Sequence, residues 1–139
     1  MDTLKIGMKH VQEWTVEEKY TTKRGDYRVF STPSMTQLVE STANQLAAPH
    51  LKSGQGQVGV VVTVRHMGPT PMGKKVRAEA ELVAIDRRKL SFKVKVYDDA
   101  EQVGEADPTT IVGSWSNVIN CYSANQRIEC YSSNERLET

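Results

Sequence analysis

The sequence predicts an α+β fold in which one long helix packs against an antiparallel sheet. Between residues 33 and 48, apolar side chains recur at the three- and four-residue spacing of a helix. From residue 58 onwards the period changes to two, as in strands with one buried and one solvated face. Short joins between these strands favour a meander on which the helix lies.

The predicted helix begins near Pro33 and ends near Ala48. Thr32 precedes the proline and is a good N-cap, and proline suits the first turn of a helix. Pro49 cannot continue the helix, so the helix stops there. The apolar residues at helical spacing are Met35, Leu38, Val39 and Leu46.

Strands are predicted at residues 11–20, 58–66, 75–86, 90–98 and 109–115. The start of 58–66 is apolar on both faces, which predicts that it is well buried. Two of the strands alternate clearly, with Val76, Ala78, Ala80, Leu82, Ala84, Leu90, Phe92, Val94 and Val96 facing inward. The short join Asp86-Arg87-Arg88 makes these two strands an antiparallel hairpin.

The composition limits the function classes. The 139 residues suit one domain with its own core. Lys and Arg total 18 against 17 for Asp and Glu, which argues against a nucleic-acid binder driven by charge. No apolar run approaches the roughly 20 residues that cross a bilayer, and the first residues lack a signal-peptide core. We expect a cytoplasmic protein that binds neither nucleic acid nor membrane.

The C-terminal tail, residues 116–139, differs from the domain at 1–115. It is rich in Ser, Asn and Glu without a steady period, so we expect it to be irregular or disordered. Its cysteines, Cys121 and Cys130, have no third or fourth ligand nearby, which argues against a zinc site. A disulfide has no support in a cytosolic chain, so we expect both thiols to be chemically idle.

Three residues in or beside the predicted elements have side chains that could take part in chemistry. Thr32 either caps the helix or supplies a hydroxyl. Glu40 lies in the middle of the helix and shares its side with the small residues Thr36, Ala43 and Ala47. It is either a partly exposed surface charge or a carboxylate that faces a ligand. His66 ends the most apolar strand, either as a surface residue or as a functional one. Together such residues can activate a hydroxyl or a water for attack on a carbonyl.

Three stretches of the chain resemble the hot-dog-fold thioesterases of the fluoroacetyl-CoA thioesterase type. They are TPSMxxLVE at 32–40, VGVVVTVRHMGPTPMG at 58–73 and AELVAIDRRKLSFKVKVYD at 80–98. The resemblance covers most of 5–106 and agrees in order and spacing. It implies a long helix wrapped by an antiparallel sheet, and a homodimer or larger oligomer. It also implies hydrolysis of an acyl-CoA thioester without a metal or a cofactor, since CoA is part of the substrate.

The resemblance also implies roles for four residues. The family's threonine, glutamate and histidine fall on Thr32, Glu40 and His66, and a substrate-binding glycine falls on Gly59. Glu40 is then the nucleophile or the base that activates water, and Thr32 is a nucleophile or a hydroxyl that orients the carboxylate. His66 polarises the carbonyl or moves a proton, and the Gly59 N–H holds the thioester oxygen.

The position of Gly59 predicts where the site lies. Gly59 and His66 are seven residues apart in one predicted strand, which separates them by about 23 Å. If this strand pairs antiparallel with its own copy about an axis near Val62–Thr63, Gly59 faces the partner's His66. We therefore expect two composite sites per dimer.

The resemblance fails at the last strand. There the family carries a His-x-Arg element, whereas this chain has Pro108-Thr109-Thr110, and a proline removes a ladder donor. The family's fluoroacetyl-specific lid is not recognisable at 17–30, so the acyl group stays open. Two rival functions remain: a non-catalytic hot-dog module that binds acyl-CoA or a related ligand, and an enoyl-thioester hydratase. The hydratases usually carry an Asp/His pair at the helix start, which this chain lacks.

Overall fold

The computed structural model describes residues 1–123, which form a seven-stranded antiparallel sheet, a separate hairpin and two helices. The α+β prediction is confirmed. In chain order the elements are β1 (Lys9–Thr15), β2 (Thr21–Arg24), β3 (Tyr27–Phe30), α1 (Thr32–Ala47), β4 (Gln55–Val61), β5 (Val64–His66), β6 (Lys75–Asp86), β7 (Lys89–Tyr97), β8 (Gln102–Ala106), β9 (Thr109–Ser114) and α2 (Trp115–Ser123). Neither α1 nor α2, the two α-helices among these residues, is long and apolar enough to cross a membrane.

The sheet runs β1-β6-β7 and then divides, because the long β7 pairs with two strands along one side. Residues 89–91 of β7 pair with β9, and residues 94–97 pair with β8. Outside these, β4 pairs with β9 and β5 pairs with β8. Together β4 and β5 form one interrupted edge of the sheet, beyond which no further strand lies within residues 1–123.

Helix α1 packs on one face of the sheet, as the two periodicities predict. Its buried side carries Met35, Leu38, Val39, Ala43, Leu46 and Ala47. The predicted inward residues of β6 and β7 are buried against this side, with one exception. A register shift between Leu82 and Ala84 turns Ala84 outward and lets Ile85 pack on the core, because a bulge reverses the alternation.

The cap of α1 lies one residue before the predicted one. Ser31, not Thr32, is the N-cap, and its Oγ accepts a hydrogen bond of 3.2 Å from the Ser34 N–H. Thr32 is the first helical residue and Pro33 follows within the first turn. The prediction that Thr32 caps is therefore wrong, since the hydroxyl one residue earlier satisfies the helix amide. The Thr32 hydroxyl is left for another partner.

The prediction for 58–66 is wrong in two respects. The segment divides into β4 and β5 at Val62–Thr63, so Gly59 and His66 do not belong to one continuous strand. It is also not well buried: Val58 and Val60 are half-buried and Val61 is 58% exposed. The reason is position, because an edge strand has no neighbour to cover its outer side.

The N-terminal part differs from the single strand predicted at 11–20. β1 ends at Thr15, a 3₁₀ turn spans Glu18–Tyr20, and the β2–β3 hairpin follows. The rings of Trp14 and Tyr20 stack with centroids 4.5 Å apart. The hairpin turn uses Gly25 with φ of 60°, a conformation that glycine adopts without strain.

The last strand forms despite Pro108. The proline immediately precedes β9, where no ladder donor is required, and its carbonyl accepts a hydrogen bond of 2.9 Å from the Phe92 N–H. The predicted strand at 109–115 is confirmed as Thr109–Ser114.

The tail is not irregular throughout, because its first residues belong to α2. The Trp115 ring lies so close to Gly56 of β4 that a β-carbon there would clash with it. Residues 124–139, including Cys130, lie outside the described residues, as does the side chain of Cys121. The prediction that both cysteines are idle is therefore not tested.

The loop after His66 is tied to the β7–β8 turn by one carboxylate. Asp98 Oδ2 accepts a hydrogen bond of 2.9 Å from the hydroxyl of Thr70, which is fully buried. Asp98 Oδ1 accepts from the backbone N–H groups of Ala100 and Glu101. Because the Asp98 carboxylate bonds both Thr70 and the β7–β8 turn, it holds the loop that follows β5 in place.

We expect Asp98→Ala to lower the free energy of unfolding by about 1–3 kcal/mol, since it leaves a buried hydroxyl and two turn amides without their acceptor. Denaturant unfolding measures this change. The control is Asp99→Ala, which removes an exposed neighbouring carboxylate. Equal stability of the two variants would contradict the role of Asp98 in holding the loop in place.

Candidate active site

Thr32 and His66 meet at the start of α1. The Thr32 Oγ1 lies 2.8 Å from Nδ1 of His66, the last residue of β5. Their approach depends on Gly104, which pairs with His66 across β5 and β8. A β-carbon on Gly104 would lie 2.5 Å from the sulfur of Met35, so the missing side chain lets the first turns of α1 sit close to this end of the sheet.

The His66 ring is partly enclosed. Phe30 contacts it edge-on with the ring centroids 6.4 Å apart, and Nε2 is buried without a hydrogen-bond partner of good geometry within residues 1–123. Burial lowers the pKa of His66 below its ordinary 6.5, and the backbone of Gly68 acts in the opposite direction. Burial therefore favours the neutral ring, which can accept a proton.

A cavity of about 750 Å³ opens beside this pair. The β2–β3 hairpin lines one side with Thr21, Thr22 and Arg24, and the loop at 67–69 lines another. The hairpin was not predicted from the sequence, and it gives the cavity a polar wall.

Glu40 lies two turns along α1 and faces Gly59 of β4. A β-carbon on Gly59 would lie 3.6 Å from the Glu40 Oε1, so an alanine would fill the space that the glycine leaves beside the carboxylate. Glu40 is half-buried, and the hollow around it is also lined by Asn44, Val61 and Thr110. The small residues predicted beside it, Ala43 and Ala47, are instead buried in the core.

Gln57 fixes β4 against the helix next to this hollow. Its Nε2 donates to the Asn44 carbonyl at 3.2 Å, and its Oε1 accepts from the Thr110 hydroxyl at 3.0 Å. Sequence reasoning missed this residue. The signal was the alternation of β4, which puts Gln57 and Gly59 on the same face.

Within one chain, the four predicted residues form two pairs rather than one site. Thr32 lies with His66, and Glu40 lies with Gly59. Eight residues of helix between Thr32 and Glu40 correspond to a rise of about 12 Å, too long for a shared hydrogen bond. No cluster of three or more His, Cys, Asp or Glu side chains that could hold a metal occurs in residues 1–123.

Comparison with solved structures identifies the fold as a hot-dog fold. A hot-dog-like protein from Thermanaerovibrio acidaminovorans superposes with a TM-score of 0.80 at 17% identity, over 86% of this chain and 91% of that one. A variant of the fluoroacetyl-CoA-specific thioesterase FlK, in complex with fluoroacetate and CoA, superposes with a TM-score of 0.77 at 25% identity, over 82% of this chain and 98% of that one.

The family follows from the sequence match. Residues 11–114 match the model of the family described as FlK, fluoroacetyl-CoA-specific thioesterase, and the chain belongs to this family. A curated relative, the fluoroacetyl-CoA thioesterase of Streptantibioticus cattleyicolor, is 36% identical over 76 residues. That match spans 55% of this chain and 55% of the relative, so the chain covers about half of the relative's length.

We expect His66 to titrate below pH 6.5 in the folded protein, because burial disfavours the imidazolium ion. NMR of the ring resonances across pH measures the midpoint. As the pH falls below about 6.5, the unfolded chain binds more protons at this residue, so acidification lowers its contribution to stability. A midpoint at or above 6.5 would contradict the enclosure of the ring.

Proposed function

We propose that the protein hydrolyses a small acyl-CoA thioester to the free acid and CoA, at sites shared between two protomers. One observation carries the proposal: the two functional pairs lie about 12 Å apart in one chain, beside an unpaired sheet edge. Membership of a thioesterase family and the CoA bound by the FlK variant support the reaction class.

The unpaired edge supports a homodimer. β4 and β5 carry Gly59 and His66, and their outer side has no partner strand within residues 1–123. Exposed apolar Val61 on this edge favours cover by another chain. Antiparallel pairing of two copies near Val62–Thr63 brings Gly59 and Glu40 of one protomer towards the partner's Thr32 and the partner's His66.

The chemistry then divides between the pairs. The Gly59 N–H donates to the thioester oxygen and stabilises the negative charge that develops there. Neutral His66 takes a proton through Nδ1, either from the Thr32 hydroxyl or from water that the hydroxyl orients. Glu40 attacks the carbonyl carbon or takes the proton of an attacking water. Cleavage of the carbon–sulfur bond releases the CoA thiolate, which is then protonated.

The two proposed roles of Glu40 differ in whether an oxygen atom from water can be incorporated into its carboxylate. If the carboxylate attacks, a mixed anhydride forms, and water that hydrolyses it can leave an oxygen on Glu40. A single turnover in ¹⁸O-water, followed by mass spectrometry of the peptide that contains Glu40, separates attack from base catalysis.

We expect Glu40→Gln and His66→Ala each to lower kcat by at least about 100-fold while the dimer persists, because each removes a group that takes part in proton transfer or attack. Free-thiol release from a panel of short acyl-CoA thioesters measures turnover. The controls are Glu13→Gln and His10→Ala, which change residues on β1, at the opposite edge of the sheet. Wild-type turnover in both site variants would refute the assignment.

The same panel tests the rivals. A protein that binds acyl-CoA without releasing thiol would be a binding module, and one that hydrates an enoyl-CoA would be a hydratase. Thiol release by the wild type supports hydrolysis.

We expect Val61→Glu to convert the dimer to monomers, because it places a charge on the apolar edge that we assign to the interface. Sedimentation measures the mass. The matched control is Val11→Glu, on the opposite edge strand β1, where the valine is 52% exposed. A dimer in the first variant, or a monomeric wild type, would overturn the assembly.

A further inference from the structure

Helix α2 lies on the face of the sheet opposite to α1. On β4, Gln57 turns towards α1, because its Nε2 donates to the Asn44 carbonyl. Side chains alternate along a strand, so Gly56 points to the other face, and the Trp115 ring lies against it there. α2 also packs on β9, whose Ile111 is buried although it lies outside the core that α1 covers. We call the side of the sheet that α2 covers the outer face.

The outer side of α2 is apolar and exposed. Trp115 is 48% exposed and Ile119 is 61% exposed, and residues four apart share one side of a helix. The Trp115 ring lies over β4, whose outer edge is unpaired within residues 1–123. The family match ends at residue 114, so this apolar pair lies just beyond the part of the chain that the family shares.

The directions of two side chains agree with the proposed pairing of β4 and β5 across the dimer axis. Gly59 faces Glu40 of α1, and His66 faces Thr32 of α1. They are an odd number of residues apart, and the break between β4 and β5 lets both face α1. Residues directly opposite in an antiparallel pair share a face, so Gly59 can lie opposite the partner's His66. A register shifted by one residue would set unlike faces against each other.

This register determines what lies opposite the start of β4. One step outwards from Gly59, Val58 comes opposite the partner's Met67. Two steps further, Gly56 comes opposite the partner's Pro69. Both of these β4 residues point to the outer face, which α2 covers. The segment that follows the partner's β5 therefore runs beside α2.

The two surfaces that meet there are both apolar. Met67 is 45% exposed, and it follows His66, which faces α1, so it turns to the outer face. The Trp115 ring over Gly56 is a diagonal neighbour of the partner's Met67, within the reach of long and aromatic side chains. A thioether beside an aromatic ring is a favourable contact. The two-fold axis thus joins two exposed apolar groups of the same chain, as a self-complementary interface requires.

We propose that α2 docks on the outer face of the partner's segment 67–69, with Trp115 packed against the partner's Met67. The occupant of the apolar side of α2 is a second copy of this chain, and the contact occurs twice per dimer. This inference rests on the proposed function, because it takes its dimer from there. It adds a link between protomers, since segment 67–69 also lines the cavity beside Thr32 and His66.

Tryptophan fluorescence tests the contact with Trp115 in place. The variant Trp14→Phe leaves Trp115 as the single tryptophan and keeps an aromatic ring against Tyr20. Its monomeric reference is Trp14→Phe/Val61→Glu. We expect the dimer to emit at a shorter wavelength than the monomer and to be quenched less by acrylamide, because the partner covers the ring. Equal emission and equal quenching in the two variants would overturn the contact.

A double-mutant cycle tests which residue Trp115 meets. We expect Trp115→Ala and Met67→Ala each to weaken dimerisation about tenfold in sedimentation, since each removes the contact twice per dimer. The double variant then loses about as much as either single variant. The control cycle combines Met67→Ala with Ile6→Ala, which truncates an apolar residue that is 64% exposed elsewhere, and its effects should multiply. Losses that multiply to about a hundredfold in the Trp115 cycle would overturn the pairing.

Thiol release separates this inference from the proposed hydrolysis. A dimer that hydrolyses acyl-CoA but shows no coupling between the two residues overturns the contact and leaves the function standing. A dimer that shows the coupling but releases no thiol refutes the hydrolysis and supports the contact. A monomeric wild type, or a Val61→Glu chain that stays dimeric, would overturn the edge pairing and the contact together.

Discussion

A rigid helix separates the two reactive halves of the site. Thr32 begins α1 and Glu40 lies eight residues later, so helix geometry holds them about 12 Å apart whatever the loops do. Each finds its own partner on the sheet edge: His66 for Thr32 and Gly59 for Glu40. One chain therefore presents two separate pairs, and the proposed function requires a second chain to join them.

In the proposed dimer, the second chain pairs with the edge of the sheet that β4 and β5 form. β4 and β5 are partly exposed and unpaired on their outer side within the described residues, and an unpaired strand edge is a template for another strand. The hydroxyl and the imidazole are both positioned by contacts within one chain. Ser31 takes the helix cap and leaves the Thr32 hydroxyl free, while burial keeps the His66 ring neutral. The positive end of the helix dipole also disfavours an imidazolium ion there.

The sequence predicted the parts of the fold that depend on periodicity, and it predicted less where neighbours decide. The helix and the β6–β7 hairpin follow from patterns that repeat over many residues. Ser31 displaced Thr32 as the cap because adjacent hydroxyl residues differ only in backbone position, and the bulge beside Ala84 leaves no mark in an alternating pattern. The prediction that residues 58–66 are well buried is wrong because apolar composition does not distinguish a buried strand from an edge strand.

The residues of the candidate site were predicted from family resemblance rather than from periodicity. Its four residues came from resemblance to a family, while Gln57 was missed because its role depends on contacts with Asn44 and Thr110 that are distant in sequence.

Mixing two inactive variants tests the shared site most directly. If Thr32 and His66 of one protomer act with the partner's Glu40, a heterodimer of the Glu40→Gln and His66→Ala chains contains one intact site and one doubly damaged site. Random pairing by co-refolding then restores thiol release to about a quarter of the wild-type rate per protomer. Sites complete within one chain would leave every mixture as inactive as the separate variants, and that result would contradict the account.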